Sequence, residues 1–154
     1  MILVGLPGSG KSVLAARLAT SVRAAVICSA DTWFMSATGY HFDRDQLGQA
    51  HKACRQAFLA AVTARSPVIV IDNTNLTAHE RAPYLALALQ HGYRVRIRVL
   101  PATPETAATR NIHQVPRSVI DDMQRQLDLA PGDYLVDPPA GVDPATGTRH
   151  PLGF

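Results

Sequence analysis

Cysteine is nearly absent: the 154 residues contain two, Cys28 and Cys54, and neither stands in a Cys-x-x-Cys pair or among histidines at metal-ligand spacing. That excludes a disulfide-stapled scaffold and a zinc ribbon, and predicts two reduced, buried thiols in an intracellular protein. Long apolar runs are missing too. None approaches the roughly 20 residues that cross a bilayer, and Met1 leads straight into Ile2-Leu3-Val4 without the basic and apolar regions of a signal peptide. The expectation is therefore a soluble, cytoplasmic protein with no membrane partner. Aromatics make up only 6% of the chain, and the formal charge is +3, too mild an excess to argue for a polyanionic partner by itself. What remains, 47% hydrophobic and 18% charged residues with no internal repeat, is the composition of one ordinary globular domain.

The hydrophobic pattern alternates between strand and helix. Residues 1–5, MILVG, run into glycines, and SVLAARLATSV then repeats apolar residues at helical spacing. AAVIC (24–28) reads as a second strand, and residues 29–45 as a polar, glycine-containing connection. Residues 46–64 predict a long helix with Leu47, Ala50, Cys54, Ala57, Phe58 and Ala61 on one face. VIVID (68–72) is apolar up to its closing Asp72, as in a strand covered on both sides. A helix follows from Thr77, an N-cap with Glu80 three residues on, to Gly92. YRVRIRVL (93–100) alternates, which predicts one exposed face near a sheet edge. Two short helices are expected over 104–113 and 116–129. Five of the 11 prolines lie beyond Pro116, and from 131 only Tyr134-Leu135-Val136 has a strand-like pattern. Strands alternating with helices predict a one-domain, three-layer α/β fold with a parallel sheet.

Gly5-Leu6-Pro7-Gly8-Ser9-Gly10-Lys11-Ser12 matches G-x-x-x-x-G-K-[ST] between a predicted strand and a predicted helix. Glycines let such a loop curl until successive N–H groups point inward, and the helix start adds its unpaired amides and positive dipole end. Gly8, Ser9, Gly10, Lys11 and Ser12 are thus the expected cradle of a nucleoside triphosphate, ATP. Lys11 would reach the β- and γ-phosphates, and the Ser12 hydroxyl would hold Mg²⁺. Asp72, at the end of its strand, is where such folds place the second magnesium-binding group. Asn73, Thr74 and Asn75 extend a polar ledge that could orient an acceptor or satisfy its own turn.

In a parallel sheet all strand carboxyl ends emerge on one rim, so Asp31, three residues past the second strand, lies beside the phosphate loop. There it can take the proton of a hydroxyl that attacks a phosphate, or serve as an N-cap. Trp33 and Phe34 follow, then Tyr40, His41 and Phe42. These aromatics could stack a base or sugar, or form core. His51 could face the acceptor, whereas Lys52 reads as a solvated helix residue.

The ordered set GLPGSGKS, SADTWF, YHF, AHKACRQAF, VIVIDNTNLT and RNIHQVP resembles the P-loop kinases related to polynucleotide kinase, over residues 1–128. The resemblance implies a P-loop NTPase/kinase fold with a sheet of four or five strands. Residues 1–130 would form the kinase domain, with a helical lid at about 104–118, and 131–154 would be a Pro/Gly-rich tail, wrapping or partly disordered. It further implies Lys11 and Ser12 on ATP and Mg²⁺, and Asp31 as base for the acceptor hydroxyl. Arg110, an ordinary exposed helix arginine when read alone, becomes the lid arginine, with Arg117 and Arg125 behind it. Three positions depart from the phage end-healing kinase of this family. Phe34 stands where that enzyme holds an acceptor phosphate with arginine, Asp72 stands for its serine, and Asn73 for its aspartate.

The expected activity is ATP- and Mg²⁺-dependent phosphorylation of a hydroxyl on a nucleic acid, most simply a DNA or RNA 5′-hydroxyl. Three alternatives remain: a DNA kinase acting on a hydroxymethylated pyrimidine, a small-molecule kinase of the sugar or antibiotic type, and a non-catalytic nucleotide-binding module.

Overall fold

A computed structural model describes residues 1–36 and 38–138. Three short apolar runs pair side by side as parallel strands: β1 (Ile2–Val4), β2 (Val26–Cys28) and β5 (Ile69–Asp72). With β6 (Val95–Val99) and β7 (Gly132–Val136) they form a five-stranded sheet in the order β2-β5-β1-β6-β7. Four strands are parallel, and β7 returns antiparallel to β6, which makes β7 the outermost strand on that side. Between β2 and β5 the chain makes a 3₁₀ turn (Ala30–Phe34) and a small hairpin, β3 (Met35–Ser36) with β4 (Gly39–Tyr40).

Helices cover both faces, as the strand composition requires. On one face α1 (Lys11–Ser21) sets Leu14, Ala15 and Leu18 against Leu3 and Val70. On the other, α2 (Leu47–Thr63) and α3 (Ala78–Gln90) bring Cys54, Phe58 and Tyr84 onto Ile2, Ile69, Ile71 and Ile97. The buried stripe of α2 is Ala50, Cys54, Phe58, Ala61 and Val62; Ala57 and Leu47, expected on it, are exposed. Thr77 and Glu80 close a full capping box at the start of α3.

Two short helices, α4 (Pro104–Arg110) and α5 (Arg117–Gln126), stand at one end of the sheet. Ala107 and Ile120 pack on Leu6 of the glycine-rich loop in a separate small core. The first residues of the expected tail form β7; residues 139–154 lie outside the described residues. No helix among the described residues is long and apolar enough to cross a membrane.

Candidate active site

Register decides what meets at the rim. Leu3 lies opposite Asp72 and Cys28 opposite Ile71, so the chain leaves β1, β2 and β5 at one level. The glycine-rich loop, Asp31 and Asp72 therefore share one edge.

α1 begins on Gly10 with no side-chain cap and no acidic residue in its first turn. Its first amides are left to face the loop's interior. Lys11 is buried and donates from Nζ to the carbonyls of Gly5 (3.0 Å) and Leu6 (2.8 Å). Burial lowers its pKa to about 8, opposed by the carboxylates of Asp72 and Asp31. Asp72 is also buried, which raises its pKa; the Ser12 hydroxyl and Lys11 push the other way. Ser9 Oγ is, among the described residues, the one buried side-chain polar atom without a partner. Uncapped amides, an unpartnered hydroxyl, a buried ammonium and a hydroxyl–carboxylate pair fit a polyphosphate with its divalent cation.

Asp31 is held differently from a helix cap. Ser29 Oγ accepts the Asp31 amide and caps the 3₁₀ turn, which frees the Asp31 carboxylate. Its side chain is 50% exposed; Tyr40 Oη donates to Oδ1 at 3.0 Å, and His113 Nε2 lies 3.6 Å from Oδ2. Asp31 bears electrostatically on both Lys11 and Asp72 from the same rim. His51 is half-buried on α2 within the influence of Asp31, Arg55 and Glu80, and burial lowers its pKa.

The polar ledge has an inward job. Asn73 Oδ1 accepts the Ala30 amide (2.8 Å), and its Nδ2 donates to Cys54 Sγ (3.3 Å). Asn75 is buried and donates to Leu3 O (2.7 Å), while Thr74 O accepts the Gly5 amide. Both asparagines, read as orienting an acceptor or satisfying their own turn, bond inward, Asn73 to the 3₁₀ turn and α2 and Asn75 to β1, because buried backbone groups must find partners. Phe34 is corrected as well. At 5% exposure it is core, edge-on to Tyr40 (6.1 Å) and tilted against Phe42 (5.1 Å), and presents no face for a ligand to stack on. Trp33 remains exposed, its Nε1 donating to Gln46.

Arg110, exposed at the end of α4, forms no ion pair among the described residues; Arg117 and Arg125 are committed to Glu105, Asp121 and Asp122. Gly8 places it. A Cβ built there would lie 2.5 Å from Ala107 O and 3.2 Å from Arg110 Cβ, so α4 rests directly on the loop. An open cleft of about 830 Å³ lies between Leu6, Leu100, Thr103 and Gln124 and does not include Asp31. Tyr40 and His113 were not singled out from the sequence. Tyr40 stood among other loop aromatics, and nothing in RNIHQVP alone says that its histidine reaches the second strand's rim.

A family model described as an AAA domain, AAA_33, matches residues 1–130. Human NEDD4-binding protein 2 (Homo sapiens) is 41% identical over 128 residues; the match covers 80% of this chain and 7% of that protein's length. Among solved structures, a chain of the Pnkp1/Rnl/Hen1 RNA repair complex superposes with a TM-score of 0.71 at 19% identity, over 90% of this chain and 47% of that one. Shikimate kinase from Acinetobacter baumannii gives a TM-score of 0.51 at 18% identity, over 80% of this chain and 73% of that one.

Proposed function

The chain belongs to the AAA domain family as a P-loop domain of the polynucleotide kinase-like type, and from that premise we propose that it is an ATP-dependent kinase that phosphorylates a nucleic-acid hydroxyl, most simply a 5′-end. The observation that carries the reading is Asp31: a half-exposed carboxylate, free of any capping duty, on the same rim as Lys11 and Asp72. The fold shared with a chain of an RNA repair complex supports this choice of acceptor.

In this reading Asp31 accepts the hydroxyl proton while the acceptor oxygen bonds to the γ-phosphorus and the bond to the β,γ-bridging oxygen breaks, releasing ADP. Gly8, Ser9 and Gly10 supply loop amides to the phosphates, Lys11 offsets their charge, and Arg110 reaches the transferring group from α4. Ser12 and Asp72 would hold Mg²⁺, which screens the phosphate oxygens and draws charge toward the leaving group. This reading assigns His51 and Trp33 to the acceptor side.

A second reading has one observation in its favour. Phe34, where the phage enzyme has its phosphate-holding arginine, is buried, so that acceptor clamp is missing and a small alcohol becomes a candidate. Shikimate kinase shares the fold. Phe34's burial counts against a flipped hydroxymethylated base stacked on it.

Labelled ATP incubated with 5′-hydroxyl DNA and RNA oligonucleotides, hydroxymethyluracil DNA and small alcohols separates these readings. Label on the oligonucleotide 5′-ends is expected, and label on small alcohols alone rejects the nucleic-acid acceptor. Asp31→Asn should lower transfer by about 10²–10⁴-fold with ATP affinity little changed. Wild-type turnover in that variant removes Asp31 from the chemistry.

A further inference from the structure

Two side chains from different parts of the chain close on the two oxygens of Asp31. Tyr40, at the end of β4, donates to Oδ1 at 3.0 Å. His113, in the turn between α4 and α5, sets Nε2 3.6 Å from Oδ2 and packs its ring on Tyr40 with centroids 4.4 Å apart. The His113 side chain is only 28% exposed, so the turn is seated on the hairpin.

Each partner is itself held. Tyr40 stands edge-on to Phe34, and the hairpin is closed by the His41 amide donating to Phe34 O. Burial first, then the charge and the hydrogen bond of Asp31, raise the Tyr40 pKa, so the phenol keeps its proton and remains the donor. On the other side Asn111 shapes the turn: its Nδ2 donates to Val115 O (2.9 Å), and its Oδ1 accepts the His113 amide (3.2 Å). Phe34 thus finds a use at the position where an arginine could have stood. It is the footing of the tyrosine that holds the carboxylate.

We infer that Tyr40 and His113 are positioning residues that clamp both oxygens of Asp31, so that seating the α4–α5 turn on the hairpin aims the base at the acceptor. The inference rests on the reading of Asp31 as base. One movement then brings two groups to the rim, because the same pair of helices carries Arg110 beside Gly8 and His113 beside Asp31. A carboxylate bonded by Tyr40 at Oδ1 and flanked by His113 at Oδ2 keeps one orientation with a lone pair open to the incoming hydroxyl. A loosely held one loses the alignment on which proximity depends, and misplacement by about 1 Å can cost about 10²-fold in rate.

The test compares Tyr40→Phe, His113→Ala and His113→Gln, each alone and with Asp31→Asn. It measures ADP release from MgATP with a 5′-hydroxyl oligonucleotide as acceptor and with water alone. Tyr40→Phe retains the ring that packs on Phe34, and His113→Gln retains a donor, so neither needs to disturb folding. Tyr40→Phe and His113→Ala are expected to lower kcat by about 10–100-fold with KM for ATP nearly unchanged, and His113→Gln should restore most of the loss. In the Asp31→Asn background neither substitution should lower the residual rate further, since groups acting through one carboxylate are not additive. Wild-type kcat in both single variants, or the same fractional loss without the carboxylate, overturns the clamp while leaving Asp31 as base. Wild-type turnover in Asp31→Asn alone overturns the base and the clamp with it.

Discussion

Lys11 bears the main electrostatic cost of the rim. Its ammonium is buried with two carbonyls as its hydrogen-bond acceptors, and burial brings its pKa down to about 8 against an unfolded value near 10.5. Below about pH 8 the folded chain carries the full cost of a buried charge; between about 8 and 10.5 the unfolded chain binds more protons, so this residue's contribution to stability improves as pH rises. A polyphosphate in the loop reverses the preference, because an adjacent anion favours the charged form. Nucleotide binding at about pH 9 should therefore take up a large fraction of one proton, and almost none at about pH 7. Calorimetric titration in two buffers of different ionisation enthalpy reads this directly, and equal uptake at the two pH values would contradict it. Lys11, Ser12 and Asp72 were legible in the sequence because their spacing is local or their strand is unmistakable. Asn73 and Asn75 were legible as residues of the rim but not in their direction: whether such an amide faces a ligand or a buried carbonyl depends on which strand lies beside it. The Tyr40 and His113 contacts depend on a hairpin and a helix turn meeting, which no local pattern encodes.

At the level of elements, the contact between the loop and α4 is the tightest joint at the site. Gly8 has φ +77°, and a Cβ there would meet Ala107 O at 2.5 Å; Gly10 has φ +93° with nothing within 4 Å of its would-be Cβ. Both positions tax an L-residue's backbone by about 1–2 kcal/mol, but only Gly8 also forces α4 off the loop. Gly8→Ala should thus be the more destabilising in urea unfolding, by roughly a further 1–3 kcal/mol, and should weaken any effect of Arg110→Ala on turnover, because the arginine has moved already. Equal losses in the two glycine variants would mean that α4 yields freely. The sequence announced every large element, since four apolar runs and three amphipathic helices each carry their own period. It was silent on the 3₁₀ turn and hairpin over 30–40. Segments that short are made by side-chain bonds such as Ser29 to the Asp31 amide and Asn73 to Ala30, which leave no periodic trace.

Across the whole molecule the sheet extends past the boundary that sequence kinship draws. The matched family region ends at residue 130, yet β7 at Gly132–Val136 pairs with all five residues of β6. Only Tyr134-Leu135-Val136 hinted at it in the sequence: prolines and glycines surround a five-residue strand, and antiparallel pairing on an otherwise parallel sheet needs no crossover helix to announce it. Charge complementarity holds the register, Arg98 with Asp133 and Arg94 with Asp137, while Tyr134 and Val136 pack against the core beneath β6. Exposed ion pairs of this kind contribute little, about 0–1 kcal/mol each, so the two half-buried side chains and the ladder carry most of the stabilisation. Without β7, Val95, Ile97 and Val99 would sit on a bare edge strand, a template for association between chains. A chain ending at residue 130 should be less stable in urea than one ending at 138 by about 2–4 kcal/mol, with lower solubility. Arg94→Ala combined with Arg98→Ala in the longer chain should cost less than about 1–2 kcal/mol. If the shorter chain unfolds at the same urea concentration and stays soluble, the family region is self-sufficient and β7 only leans on it; if the double arginine variant falls as far as the truncation, the charges rather than the buried face secure the strand.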